Sequence, residues 1–277
     1  MKKILIYYFS GTGNTWWVAN AIKQKLTELN HQIVCYSIEQ TTPEDVVEQV
    51  AAAEHIVLGF PVYGSTAPKP MLDFIQQFPT ATGNQSISIF ATHAMASGDS
   101  AYYIGSFFTR KGYTLRQTRH FVMMNNFHLP KFRFYPPKND YRLDKLLQKA
   151  QPKVAFFAEE ISNDHEHIIG NRIPGHIMGS IQRRHIDKAL NIIGKEFRVD
   201  EERCINCGKC VQICPTKNIY PSERTYKSGD HCAVCMRCYS QCPVSAIYMG
   251  EGSKNTAKYT RYKGPGKDFD IRILIGQ

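Results

Sequence analysis

Residues 204–215 read CINCGKCVQICP, and residues 232–243 read CAVCMRCYSQCP. Both are C-x2-C-x2-C-x3-C-P, so Cys204, Cys207, Cys210 and Cys214 recur 28 residues later as Cys232, Cys235, Cys238 and Cys242. Pro215 and the pair Ile219-Tyr220 recur with them, as Pro243 and Ile247-Tyr248, which marks a duplicated half-module. Eight of the nine cysteines fall in this block, a metal-site packing rather than the scattered spacing of a disulfide framework. Four thiolates this close in sequence do not readily enclose one small tetrahedral ion, and zinc sites instead use separated C-x2–4-C pairs. They can embrace an iron-sulfur cubane if the fourth crosses to a second cluster, with the following proline turning the chain. The ninth cysteine, Cys35 in HQIVCYS, reads as a core thiol on a strand.

At 277 residues the chain is long enough for two domains. It has no apolar run near the roughly 18 residues of a membrane span. The opening MKKILIYYF has too short an apolar stretch for a signal peptide and no cleavage site after it, so it reads as the buried first strand of a cytoplasmic protein. Strand patterns HQIVCYSI, EHIVLGF, QSISIFAT and QTRHFVMM follow, separated by helical stretches such as TWWVANAIKQKLTEL, PEDVVEQVAAA and PMLDFIQQF. Five strands interleaved with helices imply a doubly wound parallel sheet covered on both faces. A last helix is expected within YRLDKLLQKAQPKVAFFAEEI, interrupted near Pro152, because proline cannot donate to the helix ladder. SNDHEHIIGNRIPGHIMGS, without period, reads as linker or insertion, and His165 and His167 within it are assigned no metal.

The first strand runs directly into SGTGNT. With a helix starting near Asn14, the amides of Gly13, Asn14 and Thr15 are unsatisfied first-turn donors at the positive end of the helix dipole, a setting that suits an anion. Ser10, Thr12 and Thr15 add hydroxyls, and Gly11 and Gly13 allow close approach. The loop has no lysine and is neither the Walker pattern nor the dinucleotide fingerprint. It fits a phosphate monoester held by neutral donors.

S-G-T-G-N-T after a first strand resembles the phosphate loop of the flavodoxins, and the resemblance covers roughly residues 1 to 160. It implies FMN. GFPVYGSTAPKPMLDF stands where a flavodoxin places the loop against the flavin ring, which implies contacts from Pro61, Val62, Tyr63 and Gly64, with Tyr63 offering an aromatic face. THAMASGDSAYY occupies the third loop, so Thr92 and Gly98 are expected contacts by position, while Tyr102 and Tyr103 are expected on the following helix. At least one of Trp16 and Trp17 is expected in the core, because adjacent helical residues diverge. The cysteine block resembles the two-cluster bacterial ferredoxins over about residues 195 to 250, with a longer insert, SERTYKSGDH, between its halves. That resemblance implies two [4Fe-4S] clusters, one held by Cys204, Cys207, Cys210 and Cys242 and the other by Cys232, Cys235, Cys238 and Cys214. The expected organisation is therefore a flavodoxin-like α/β domain over 1–162, a linker or insertion over 163–194, a small α+β dicluster ferredoxin-like domain over 195–250 and a C-terminal extension over 251–277.

The net charge of +10 is regional: residues 1–109 carry 5 basic and 8 acidic groups, residues 110–195 carry 16 and 7. Patches such as FTRKGYTLRQTRH or SIQRRHIDK could dock an acidic redox protein or attract a polyanionic small molecule, or could be simply a solvated basic surface. No nucleic-acid reader motif accompanies the charge. The two resemblances together match the flavodoxin-ferredoxin fusion proteins of anaerobic microbes. They imply an intracellular electron carrier linking FMN and two [4Fe-4S] clusters, with no catalytic acid, base or nucleophile required. The alternative is a flavin-dependent reductase of a small organic acceptor, with Asn125, Asn126 and His128 of MMNNFHLPKFRFYPP as polar candidates in its pocket. No nicotinamide fingerprint is visible.

Overall fold

The apolar runs become five parallel strands in the order β2-β1-β3-β4-β5: β1 (Lys3–Tyr8), β2 (Gln32–Ser37), β3 (His55–Pro61), β4 (Ser86–His93) and β5 (Thr114–Val122). The computed structural model describes residues 1–133, 135–267 and 269–276. Alternation along β1 sends Leu5, Tyr7 and Phe9 to one face and Ile4, Ile6 and Tyr8 to the other, and all six are buried. The first face packs on α2 (Pro43–Ala52), α3 (Lys69–Gln77) and α4 (Ser100–Thr109) through Val50, Met71, Ile75, Ile104 and Phe108. The second packs on α1 (Asn14–Glu28) and α5 (Tyr141–Ser162) through Val18, Ile22, Val154, Phe157 and Ile161. Because β1 is flanked by β2 on one side and β3 on the other, the chain reverses its winding there, which opens a crevice beyond the carboxyl ends of β1 and β3.

The expected break at Pro152 does not occur: α5 runs unbroken through it. Pro152 and Gln148, whose carbonyl loses its i+4 donor, both lie on the exposed side, where water can take that oxygen, while Ala150 and Val154 keep the buried stripe.

Beyond α5 the stretch expected as linker or insertion contains α6 (Ile173–Gly194), a 22-residue helix laid over the β3 and β4 loops. Its anchor is Asp99, only 1 % exposed, which accepts from Arg183 (Nη1 2.5 Å, Nη2 3.1 Å) and from His176 Nδ1 at 2.9 Å. Arg183 also donates to the Ser65 carbonyl at 2.9 Å and lies 3.9 Å from the centre of the Tyr103 ring. Arg183 therefore does not belong to a free basic docking patch, as SIQRRHIDK suggested; its charge is engaged by a buried carboxylate, while Arg184 and Lys188 of the same stretch are exposed.

The cysteine block folds around β6 (Phe197–Val199) paired antiparallel with β9 (Ile247–Met249), and β7 (Ile219–Pro221) paired with β8 (Tyr226–Ser228), the last lying in the insert between the motifs. Two short helices, α7 (Lys209–Gln212) and α8 (Arg237–Gln241), carry Cys210 and Cys238. The final segment turns back onto the large sheet, where Ile271 and Leu274 are buried with the α1 face and Tyr262, fully buried, donates to Asn14 Oδ1 at 2.6 Å. Among the described residues no helix is long and apolar enough to cross a membrane.

Removing one partner of a buried ion pair costs about 3–5 kcal/mol. Arg183→Glu is expected to lower the melting temperature and loosen α6, whereas Arg184→Glu should leave both unchanged; hydrogen exchange over 173–194 checks the pair.

Candidate cofactor sites

The loop between β1 and α1 lies in the crevice. Gly13 caps α1 with φ +103° and no side-chain cap, a conformation that glycine alone adopts without strain. A Cβ there would meet the Phe269 ring at 2.8 Å. Gly13 N donates to Ser10 Oγ at 3.1 Å, but among the described residues the backbone amides of Gly11, Thr12, Asn14 and Thr15 have no hydrogen-bond partner. Ser10, Thr12 and Thr15 are each 1 % exposed. Buried, unpaired amides at a helix start are costly unless an acceptor meets them, so the loop fits the phosphate of FMN.

The other expected flavin loops converge on this one. Thr15 Oγ1 shares a 2.8 Å hydrogen bond with Thr92 Oγ1 at the end of β4, and Val62 N donates to the Thr92 carbonyl at 2.8 Å. Tyr63 and Thr66 close a tight turn after Pro61 and Val62, with N–H···O distances of 2.8 and 3.1 Å. Tyr63 Oη donates to the Val234 carbonyl at 3.0 Å, so this side chain joins the sheet to the cysteine block, and burial pushes its hydroxyl pKa far up. Ile186 of α6 lies directly over Gly64, while Gly98 packs on Ser65 and Gly179. Tyr102 and Tyr103 sit on α4 as expected, against His176 and Arg183. Trp16 and Trp17 are partly buried against the core, Trp16 beside Phe269.

Four groups at the phosphate loop escaped the sequence reading or had another role in it. Asn126, a candidate for an organic-substrate pocket, donates instead to Thr12 Oγ1 at 2.8 Å. Asn125 holds the backbone of its own loop through Phe127 N and the Tyr135 carbonyl, and His128 is buried against Tyr259. Tyr262 fixes Asn14 from 248 residues away. Arg237 and Glu39 meet beside Ser10 and Gly11. The only hint of Arg237 in the sequence is that it repeats the basic Lys209 of the first motif.

The eight cysteines line two separate cavities. One is bordered by Cys204, Cys207, Cys210 and Cys242, with Cys238 at its edge; the other by Cys214, Cys232, Cys235 and Cys238. Both fourth cysteines thus lie with the other motif's triplet. The duplication extends to the sulfur environment: Asn218 N donates to Cys214 Sγ and Ala246 N to Cys242 Sγ, each at 3.2 Å. Burial pushes the Cys235 thiol up to about 12 and the Cys210 thiol up to about 11, so thiolates here require compensating positive charge of the kind iron brings. An all-cysteine lining with C-x2-C-x2-C-x3-C spacing is a donor set that fits an iron-sulfur cluster. Cys207 is exposed and Cys235 buried, so the two cavities differ in their distance from solvent. Cys35, expected in the core, is a partly buried thiol on β2 that packs against the α1 face of the core, and desolvation raises its pKa to about 12.

Residues 5–136 match the family model of the flavodoxin domain, and residues 197–249 match that of the 4Fe-4S dicluster domain. The chain joins a flavodoxin domain to a 4Fe-4S dicluster domain, an architecture of redox electron transfer that implies FMN and iron-sulfur cofactors. It is similar to diflavin flavoprotein A 2 of Thermosynechococcus vestitus, 26 % identical over 161 residues that cover 57 % of this chain and 25 % of that one. The chain thus spans a quarter of that relative's length. Among solved structures it is similar to a flavodoxin from the domain Archaea (18 % identity, 57 % of this chain and 98 % of that one, TM-score 0.39). It is also similar to the flavodoxin of Streptococcus pneumonia TIGR4 (16 %, 58 % and 98 %, TM-score 0.43).

Two measurements test the site assignments. Thr12→Ala with Thr15→Ala removes two donors, each worth about 1.5–3 kcal/mol toward a charged acceptor; FMN affinity is expected to fall by about tenfold or more while iron content stays at the wild-type level. Cys242→Ser should damage the cluster of the first triplet and Cys214→Ser that of the second. Electron paramagnetic resonance with iron counted per chain reads which signal disappears, and loss of each motif's own signal would overturn the crossed assignment.

Proposed function

We propose that this chain is an electron-transfer protein in which FMN, bound by Ser10 to Thr15 with Tyr63 and Gly64 at the ring, exchanges electrons with two [4Fe-4S] clusters held in the crossed cysteine arrangement. The flavin takes one or two electrons and each cluster takes one, so the fusion couples a pair to single steps. The supporting observation is contact: a Cβ on Gly11 would lie 2.6 Å from the Cys235 carbonyl, so the phosphate loop and the second cysteine triplet touch. The chain's own part is to bind, to orient and to exclude water. Thr92 and Pro61 to Gly64 position the ring site, α6 covers its loops through Ile186 and Arg183, and the buried Cys235 faces inward while the exposed Cys207 offers an outlet. We read 1–162 as the FMN unit, 195–250 as the cluster unit, 163–194 and 251–277 as straps between them, and the cytoplasm as the setting for a reduced cysteine block.

The physiological partner in this reading is another redox protein, one that docks at the exposed Cys207 side and, given the chain's positive charge, an acidic one. A second reading, reduction of an organic acceptor, draws support from a groove of about 840 Å³ lined by Tyr63, Ile186, Asn191, His231 and Cys232 beside the flavin-ring loop.

Anaerobic stopped-flow reduction separates the two. The carrier is expected to be reduced rapidly by reduced ferredoxin and slowly by NAD(P)H, with flavin and iron-sulfur absorbance changing in succession; rapid reduction by NAD(P)H alone, with turnover of an added quinone, would favour the reductase.

A further inference from the structure

Arg237 lies between Cys235 and Cys238 on the second motif and is completely buried. Every N–H of its guanidinium is used. Nε faces the carbonyls of Gly11 at 3.1 Å and Ser10 at 3.3 Å, and Nη2 donates to the Ser10 carbonyl at 2.7 Å. Nη1 donates to the carbonyl of Ile213, next to Cys214, at 3.2 Å. Glu39, on the loop after β2, accepts from Nη1 at 2.8 Å and Nη2 at 2.5 Å. One side chain therefore touches the phosphate loop, the segment before Cys214 and the segment between Cys235 and Cys238.

In a trans peptide the carbonyl of one residue and the amide of the next point in opposite directions. Holding the Ser10 carbonyl fixes the direction of the Gly11 amide, and holding the Gly11 carbonyl fixes that of the Thr12 amide. Both amides are among the unpaired donors of the loop. We propose that Arg237 is a positioning residue that makes binding of the phosphate dianion conditional on an intact cluster at Cys214, Cys232, Cys235 and Cys238. When those four cysteines are ligated, the chain on both sides of Arg237 and at Ile213 is pinned, the guanidinium holds the two carbonyls back, and the amides face the phosphate. When ligation is lost, Arg237 is released and the loop amides lose their common direction. Because coupling between two binding events is reciprocal, phosphate binding must stabilise the same cluster. The cavity of Cys204, Cys207, Cys210 and Cys242 meets Arg237 through the Ile213 carbonyl, at the end of the motif away from Cys204, whereas Arg237 itself lines the cavity of Cys214, Cys232, Cys235 and Cys238. This inference rests on the proposed placement of FMN and of the two clusters.

The test uses the full chain, with FMN affinity read by fluorescence quenching, the phosphate environment by phosphorus NMR, and clusters by iron content and electron paramagnetic resonance. Arg237→Gln is expected to weaken FMN binding at least tenfold and to shift the phosphate resonance at wild-type iron content. Arg237→Lys, which keeps the charge but cannot span both carbonyls and Glu39, should recover only part of that loss. Should either variant fail to fold, Cys232→Ser and Cys204→Ser carry the same test. The first, which removes a ligand of the coupled cluster, should weaken FMN at least tenfold, and the second should leave its affinity within twofold of wild type. Equal FMN affinity in Arg237→Gln and wild type, or equal losses in the two serine variants, would overturn the coupling. A wild-type chain that binds clusters but no FMN would instead refute the underlying placement.

Discussion

A single guanidinium decides how the two halves of this chain are joined. Burying a charge away from water is costly, and Arg237 is tolerable only because Glu39 neutralises it and three backbone carbonyls take its remaining donors. Those partners come from three separate stretches of chain, the first loop, the turn after β2 and the end of α7, and α8 supplies the arginine. Breaking such a pair by removing one member costs about 3–5 kcal/mol, because the other charge stays buried. The geometry is accordingly fixed: the cysteine block cannot rotate against the sheet without stranding either the arginine or the glutamate. The Tyr63 hydroxyl on Val234 gives a second fixed point a short distance away.

The same principle operates on the other side of the crevice. Asp99 sits just after Gly98 in the third loop, and its carboxylate is paired with Arg183 and His176 of α6. A minimal flavodoxin-type sheet would leave those loops facing solvent; here a helix supplied by the connecting segment lies over them. Together with the returning C-terminal segment, which presses Phe269 and Tyr262 onto Gly13 and Asn14, it turns an open crevice into a covered one. Covering a redox centre lowers the local dielectric and restricts contact to partners that reach the exposed edge of the cysteine block. On the proposed placement of FMN, this cover would favour passing electrons through the chain over passing them directly from the flavin to a diffusing molecule.

Much of the molecule was legible from the sequence because the relevant signals are local. Strand and helix periodicities depend only on neighbouring residues, so the five strands and the α1 to α5 helices stand where apolar spacing put them, apart from Pro152, where an exposed proline was tolerated by a helix held through its buried side. The phosphate loop carries its chemistry in six consecutive residues, and the duplicated cysteine spacing carries its own. Asn126 was noticed as polar but given another role, since nothing local says that it reaches Thr12 across 114 residues of chain. Arg183 read as surface charge for the same reason: a cation in a basic stretch looks solvated until its acid, 84 residues earlier, is brought beside it.

The sequence by itself determined the element order, the loop suited to a phosphate and the grouping of cysteines into two repeated sets, because each follows from covalent spacing. Only the tertiary structure decided that α6 and the C-terminal segment cover the crevice and that Arg237 bridges the phosphate loop to the cysteine block. Those outcomes depend on finding partners for buried charges and unpaired backbone groups, and a partner 226 residues away in the chain is set by folding alone.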